Sequence, residues 1–261
     1  MVMRHLRLVS VFAILGGLAP CRAQAIDRSK LVDLTYSFDD KTIYWPNAKG
    51  FVHRKDEWKV TPKGYWYAAG GFSSDEHGGT HFDSPIHFGP GKLTLDQIPV
   101  QRLVAPAAVI DITAASAKNR DYRATAQDVL AWEKSNRAIA PGTIVLVRTG
   151  WGKFWPDRKQ YLGSDVPGDI EHLHFPGIAR DAAELLVKRG VTGVGIDTAS
   201  MDYGASQDFI VHQILNKANI YGLENIANLE RLPAVGATLI ALPMKIAQGS
   251  GGPARIIAIL P

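Results

Sequence analysis

The chain has 261 residues, 46% of them hydrophobic and 21% charged, with a formal charge of +4. This suits a globular protein with one sizeable core and excludes a disordered or low-complexity chain. Three positive charges, Arg4, Arg7 and Arg22, lie in an N-terminal leader; the remainder is close to neutral and has no basic run or basic–aromatic stripe of the kind that binds nucleic acid.

In the leader, Arg4 and Arg7 frame the start of an apolar run from Leu8 to Ala19, and Ala23-Gln24-Ala25 offers a small-x-small cleavage site. Residues 1–25 are therefore expected to be a signal peptide and 26–261 the mature domain, exported and, in a bacterium, periplasmic. The apolar run is too short for a comfortable membrane span. A variant reading ends the signal at the single cysteine, since Leu18-Ala19-Pro20-Cys21 is loosely lipobox-like. Cleavage after Ala25 leaves no cysteine, hence no disulfide, no thiolate metal site and no cysteine nucleophile.

Leu31 to Tyr36 alternates like a strand. Tyr44-Trp45-Pro46-Asn47 follows in a turn-rich stretch, Arg54 to Lys63 reads as an exposed loop or edge, and Gly64 to Ala69 as a strand. After Gly89-Pro90-Gly91, a loop signal, Val104 to Ile112 is strand-like. Thr125 can N-cap a helix over Ala126 to Ser135, with Asp128 in the capping-box position. Thr143 to Thr149 is a β-branched apolar run, the pattern of a buried strand, and Trp151 to Pro167 is loop-like. Pro176-Gly177 is expected to open a helix from Ile178 to Arg189, stopped by Gly190. Val191 to Asp197 returns as a strand, Asp208 to Leu215 as a helix, and Ile220 to Ile226 as a short strand or turn. Two apolar strands, Ala237 to Leu242 and Ile256 to Leu260, flank a glycine loop, Gly249-Ser250-Gly251-Gly252-Pro253. Periodicity alone thus predicts a mixed α/β fold without a clean βαβ repeat. There is no P-loop and no dinucleotide fingerprint, and the lack of a Gly-x-Ser-x-Gly elbow argues against a serine hydrolase of the α/β type.

The chemistry concentrates in His77-Gly78-Gly79-Thr80-His81-Phe82-Asp83-Ser84-Pro85-Ile86-His87. Neutral imidazole and carboxylate are the usual ligands of zinc and its first-row neighbours. On a helix Asp83 would point roughly 160° away from His81, and the glycines and proline oppose a helix. In an extended segment His81 and Asp83 face the same way, His87 can follow, and the glycines let His77 converge. The expectation is a glycine-kinked strand or loop presenting His77, His81 and Asp83 to one metal. His212 and Glu224, each in apolar company, form a second constellation. A buried carboxylate costs several kcal/mol unless paired or bound to metal; spacing leaves open a metal pair, a buried His–Glu hydrogen bond or plain exposure.

The run His77-x-Gly79-Thr80-His81-x-Asp83-x-Pro85-x-His87 resembles the signature of the metal-dependent cyclase/amidohydrolase family, which includes bacterial kynurenine formamidases and isatin hydrolases. Supporting blocks are Leu146 to Trp151, Phe175-Pro176-Gly177 through Asp202, Leu242 to Ile246 and Gly251 to Arg255. The resemblance implies a single α/β swivelling-type β/β/α domain with a mixed, partly barrel-like central sheet, surrounded by helices and assembled as a homodimer or homotetramer. In the formamidase branch, the equivalents of His77, His81 and Asp83 bind one zinc. Asp83 then bridges to a second zinc held also by His212 and Glu224, and His87 is the acid/base. Isatin hydrolases, which the chain resembles too, use one manganese and lack the glutamate, so Glu224 leans toward the two-metal branch. Asn47 and Ala48 depart from the Gly-Asp pair of the formamidase substrate loop, and export departs from the cytoplasmic formamidases.

The resulting expectation is hydrolysis of an amide-type C–N bond in a small aromatic substrate, arylformamidase-like, by water activated on one or two Zn2+ or on Mn2+. A metal ion and N–H groups of the glycine loop would stabilise the oxyanion, His87 would carry the proton, and Tyr44, Trp45, Tyr65 and Trp66 would wall the substrate. The alternatives are isatin-like opening of a cyclic amide or lactone, and a metal-dependent binding protein without turnover.

Overall fold

In the computed structural model, residues 26–261 are described; the expected signal peptide, with Cys21, lies outside them. The strands in chain order are β1 (Leu31–Asp33), β2 (Val52–Val60), β3 (Trp66–Ser73), β4 (His81–Asp83), β5 (Val104–Asp111), β6 (Arg123–Ala124), β7 (Ile144–Arg148), β8 (Gly177–Ile178), β9 (Gly193–Ile196), β10 (Tyr221–Glu224), β11 (Val235–Pro243) and β12 (Gly251–Ile259). The helices are α1 (Thr113–Ser116), α2 (Ala126–Ser135), α3 (Arg158–Leu162), α4 (Arg180–Arg189) and α5 (Ile210–Lys217).

The central sheet runs β1-β12-β11-β5-β7-β9-β10-β4, and β4 pairs back onto β12. Strands β12, β11, β5, β7, β9, β10 and β4 therefore close into a mixed barrel. β5, β7, β9 and β10 are parallel neighbours, whereas β4 is antiparallel to both β10 and β12. Side-chain alternation divides the core in two. Leu146, Phe82, Leu223, Leu239 and Ile256 fill the barrel, while Val145, Val147, Ile110 and Val194 point outward onto Leu186 of α4 and Leu215 of α5. The unbroken apolar run at Thr143 to Thr149 is explained by this burial on both faces. Each fully buried Val, Leu or Ile contributes roughly 1.5–3 kcal/mol relative to exposure.

Several expectations shift at their boundaries. Thr125 and Asp128 form the predicted capping box of α2, and Gly190 ends α4 in the left-handed region at φ 67°. The helix itself begins at Arg180 rather than Ile178. Gly177 and Ile178 are taken by pairing with β6, and the Ile178 and Ala179 N–H groups donate to Met201 O and Ala124 O. The stretch from Trp151 to Pro167 is not all loop, since it holds a 3-10 turn, Trp151–Phe154, and α3. Gly251, Gly252 and Pro253, expected in a loop, begin β12 instead, because Asp83, Phe82 and His81 of β4 pair with them.

Arg54 to Lys63 is largely strand. β2 and β3 pair only with each other and project as an arm. Register puts Trp58, Val60, Trp66 and Phe72 on one face of it, and all four are exposed. No helix among the described residues is long and apolar enough to cross a membrane.

Candidate metal centre

The barrel's closing strand carries the chemistry. Within β4, Phe82 points into the core and stacks on Tyr221 at 4.4 Å, so His81 and Asp83 face the other way. Both neighbouring strands place a glycine opposite Asp83, Gly222 on β10 and Gly251 on β12. A Cβ at Gly222 would lie 3.0 Å from Asp83 Oδ2, and one at Gly251 2.5 Å from Cε1 of His77. The absent side chains make room for ring and carboxylate. Glu224 stands directly across from His81 in the β10–β4 ladder, and α5 delivers His212. All four inner groups are buried, with Asp83 fully so; His77 and His87 are half-buried.

Hydrogen bonds aim each imidazole. His81 Nδ1–H donates to Gly79 O at 2.9 Å, leaving Nε2 as the free nitrogen. His212 Nδ1–H donates to Asp202 Oδ2 at 2.7 Å, which frees Nε2 in the same way. Asp202 also accepts from the N–H groups of Val211 and His212 at the start of α5. The freed nitrogens meet two carboxylates. His81 Nε2 lies 3.2 Å from Asp83 Oδ1 and 3.4 Å from Glu224 Oε2. His212 Nε2 lies 3.4 Å from Asp83 Oδ2 and 3.1 Å from Glu224 Oε1. His77 Nδ1 approaches Asp83 Oδ1 at 2.6 Å. Asp83 thus turns one oxygen to His77 and His81 and the other to His212.

This donor set fits a divalent metal. His81 Nε2 and Asp83 Oδ2 are buried without a hydrogen-bond partner, a cost that an ion would relieve. Donor separations of 3.1–3.4 Å match those of ligands held about 2.0–2.2 Å from a shared ion. The electrostatics agree. Burial alone would lower His81, yet Asp83 and Glu224 carry it up to about 9. Burial raises the Glu224 carboxyl, with Asp83 adding to it. Asp83 is held well below the carboxylate range because the surrounding histidines outweigh its burial. Two buried carboxylates among imidazoles demand a cation, be it a proton or a metal.

His87 reaches the site through the 3-10 turn Pro85–His87 rather than along the strand. Its ring stacks on His77 at 3.8 Å, and burial, only partly opposed by Asp83, pushes it down to about 3. It is a neutral imidazole at the edge of a cavity of about 280 Å³ whose apolar wall includes Ile43, Tyr44, Trp45, Phe88 and Phe209. Tyr44 and Trp45 line it as expected. Tyr65 and Trp66 do not: they sit, exposed, on the arm. The glycine loop is likewise no ready oxyanion hole, because Ser250 N–H donates to Glu76 Oε2 and Gly249 N–H to Ile246 O.

The model of the Cyclase family matches residues 32–203. The chain belongs to that family. The chain is 40% identical over 194 residues to the isatin hydrolase of Roseibium aggregatum, covering 71% of this chain and 72% of that one. It is 30% identical over 190 residues to the kynurenine formamidase of Paracidovorax citrulli, covering 71% and 76%. A crystal structure of an isatin hydrolase bound to the product analogue thioisatinate superposes with a TM-score of 0.82 at 34% identity, covering 89% of this chain and 92% of that one. This protein is thus a Cyclase-family amidohydrolase, with the closed mixed barrel of its structural neighbours.

The Cyclase match contains His77, His81, Asp83 and His87 but ends before His212 and Glu224; the fold brings all six to one place. Sequence reasoning missed Phe88 and Phe209 in the wall and Asp202, Glu76 and Ser250 around the histidines. Phe88, directly after the signature, could have been flagged by position; the others carry no local signal.

Proposed function

We propose that the protein hydrolyses the amide C–N bond of an uncharged aromatic substrate, opening a cyclic amide of the isatin type. The observation that carries this reading is the cavity wall. None of its lining residues is lysine or arginine, and its two acidic ones are Glu224 of the metal centre and the exposed Asp75. N-formylkynurenine brings an α-carboxylate that would find no lysine or arginine to pair with in the wall, and an unpaired buried charge costs several kcal/mol. A flat neutral bicycle can lay its ring against Tyr44, Trp45, Phe88 and Phe209 and turn its carbonyl to the histidine cluster. The sequence likeness to an isatin hydrolase supports the same side. An arylformamide remains the second reading, supported by the pairing of His212 with Glu224.

His77, His81 and Asp83 would hold one Zn2+ or Mn2+, and His212 and Glu224 a second shared through Asp83. An ion there supplies an acidified water and polarises the carbonyl. His87, which burial keeps neutral, is placed to accept the proton of the attacking water transiently as the attack proceeds and to pass it at once to the departing nitrogen. Tyr44, Trp45, Phe88 and Phe209 hold the ring and exclude bulk water. Export after Ala25 and a homodimeric or homotetrameric state complete the reading, the latter supported by the exposed apolar face of the arm.

The test is steady-state hydrolysis of isatin and N-formylkynurenine by the mature protein loaded with Zn2+ or Mn2+. Isatin is expected to give a kcat/KM at least ~100-fold higher, the worth of roughly 3 kcal/mol. A preference for N-formylkynurenine would return the assignment to the formamidase branch. His87→Ala should keep its metal and lose turnover; retained turnover would remove the proton role.

A further inference from the structure

His81 and His212 are fixed by a carbonyl and a carboxylate, but His77 is fixed by a side chain 173 residues away: its Nε2 lies 2.9 Å from Ser250 Oγ. The same hydroxyl lies 2.5 Å from Glu76 Oε2, which also takes the Ser250 N–H at 3.0 Å. Proton accounting decides the direction of this chain. A carboxylate only accepts, and a serine hydroxyl has one proton to give. Ser250 gives it to Glu76, so its oxygen must accept from His77 Nε2–H. His77 then carries its lone pair on Nδ1, 2.6 Å from Asp83 Oδ1. Two acceptor atoms that close repel unless a cation is held with them.

We infer that Ser250, oriented by Glu76, is a positioning residue that locks His77 in the Nε2–H tautomer and so prepares Nδ1 as a metal donor. The inference rests on the metal-centre reading above. Donation from a histidine ligand's second nitrogen both orients the ring and raises its basicity. Ser250 is held independently of its hydroxyl: Ser250 O accepts from Ser84 N–H at 2.8 Å and from Ser84 Oγ at 2.6 Å. Removing the hydroxyl therefore leaves the backbone anchored and takes away only the link to His77. The ring is also wedged against the next residue, since only glycine at 251 leaves it room.

The experiment is competitive titration of Zn2+ and Mn2+ into metal-stripped mature protein against a chromophoric chelator. Nitrogen-15 NMR of the imidazoles provides a second readout that needs no metal. Ser250→Ala is expected to bind metal ~10–100-fold more weakly, the usual effect of losing such a partner. Ser250→Thr should restore affinity, and Glu76→Gln should fall between. In the metal-free state, wild type should show His77 protonated on Nε2 and Ser250→Ala a mixture of tautomers. A folded Ser250→Ala with affinity within twofold of wild type and an unchanged tautomer would overturn the inference. If Ser250→Ala does not fold, Glu76→Gln decides on the same two readouts. A wild-type chain that takes up no metal would refute the metal centre itself, and the tautomer measurement would then decide Ser250's role.

Discussion

Asp197 accepts hydrogen bonds from Thr149 N–H and Oγ1–H, both at 2.7 Å, and from Gly150 N–H at 2.9 Å. Asp202 likewise gathers two backbone N–H groups of α5, and in addition the Nδ1–H of His212. Both are buried, so removing either strands several donors, at about 1–3 kcal/mol per buried group left unpaired. Asp197→Ala and Asp202→Ala should each lose at least about 3 kcal/mol in urea unfolding. They should differ in metal content. Asp202→Ala frees the His212 ring and should weaken the second ion, whereas Asp197→Ala should keep wild-type stoichiometry. Equal metal loss in the two variants would show that Asp202 acts only through the fold. At this scale the donors were legible and their supports were not. Histidine and carboxylate announce metal chemistry by type, but Asp202, Glu76 and Ser250 acquire their roles only through contacts that the folded chain creates. Glu224 looked like a costly buried carboxylate in the sequence, and its two histidine neighbours explain how it is tolerated.

Elements with a period of their own were readable. α2 has its capping box, β7 its β-branched run, and α4 its terminal glycine. The arm is only half legible, because alternation in β2 is obscured by charge on one face and by the bulge between Lys55 and Glu57. An isolated two-stranded hairpin is at best marginally stable in water, yet this one exposes Trp58 at 53% and Trp66 at 58% on the same face. With Phe72 that face leaves roughly 100 Å² of each ring bare, and Val60 extends it to an apolar patch of a few hundred Å², the size at which such patches are often functional. A second copy of the chain, bringing its own arm, would bury about 600 Å² of ring surface, so flanking residues must join to reach the ~1,200 Å² of a small stable interface. Trp58→Ser with Trp66→Ser should therefore lower the mass in light scattering to that of a monomer at micromolar concentration. None of the metal-centre residues lies on the arm, so the site should keep its metal. An oligomer of unchanged mass would show that the arm does not hold the copies together.

For the whole molecule, the fold class is legible in the residue pattern and the closure of the barrel is not. β4 has three residues, too few for a period to show, and it joins residues 81–83 to residues 222–224 and 251–253. Nothing local records such pairings. The consequence is thermodynamic as well as topological. The closing strand supplies His81 and Asp83, β10 supplies Glu224, and α5 supplies His212, so an ion bound among them would tie together elements far apart in the chain. A ligand that binds only the folded state stabilises it by about 2.7 kcal/mol at one hundred times its Kd. For a domain of this size each kcal/mol moves Tm by roughly 2–4 °C. Stripping the metal with a chelator should then lower Tm by about 5–10 °C, and adding back Zn2+ or Mn2+ should restore it. Asp83→Asn, which removes a carboxylate charge facing both His81 and His212, should start near the stripped value and respond little to added metal. A Tm indifferent to chelation in the wild-type protein would mean that the barrel closes without the ion, and that the buried carboxylates are balanced by protons alone.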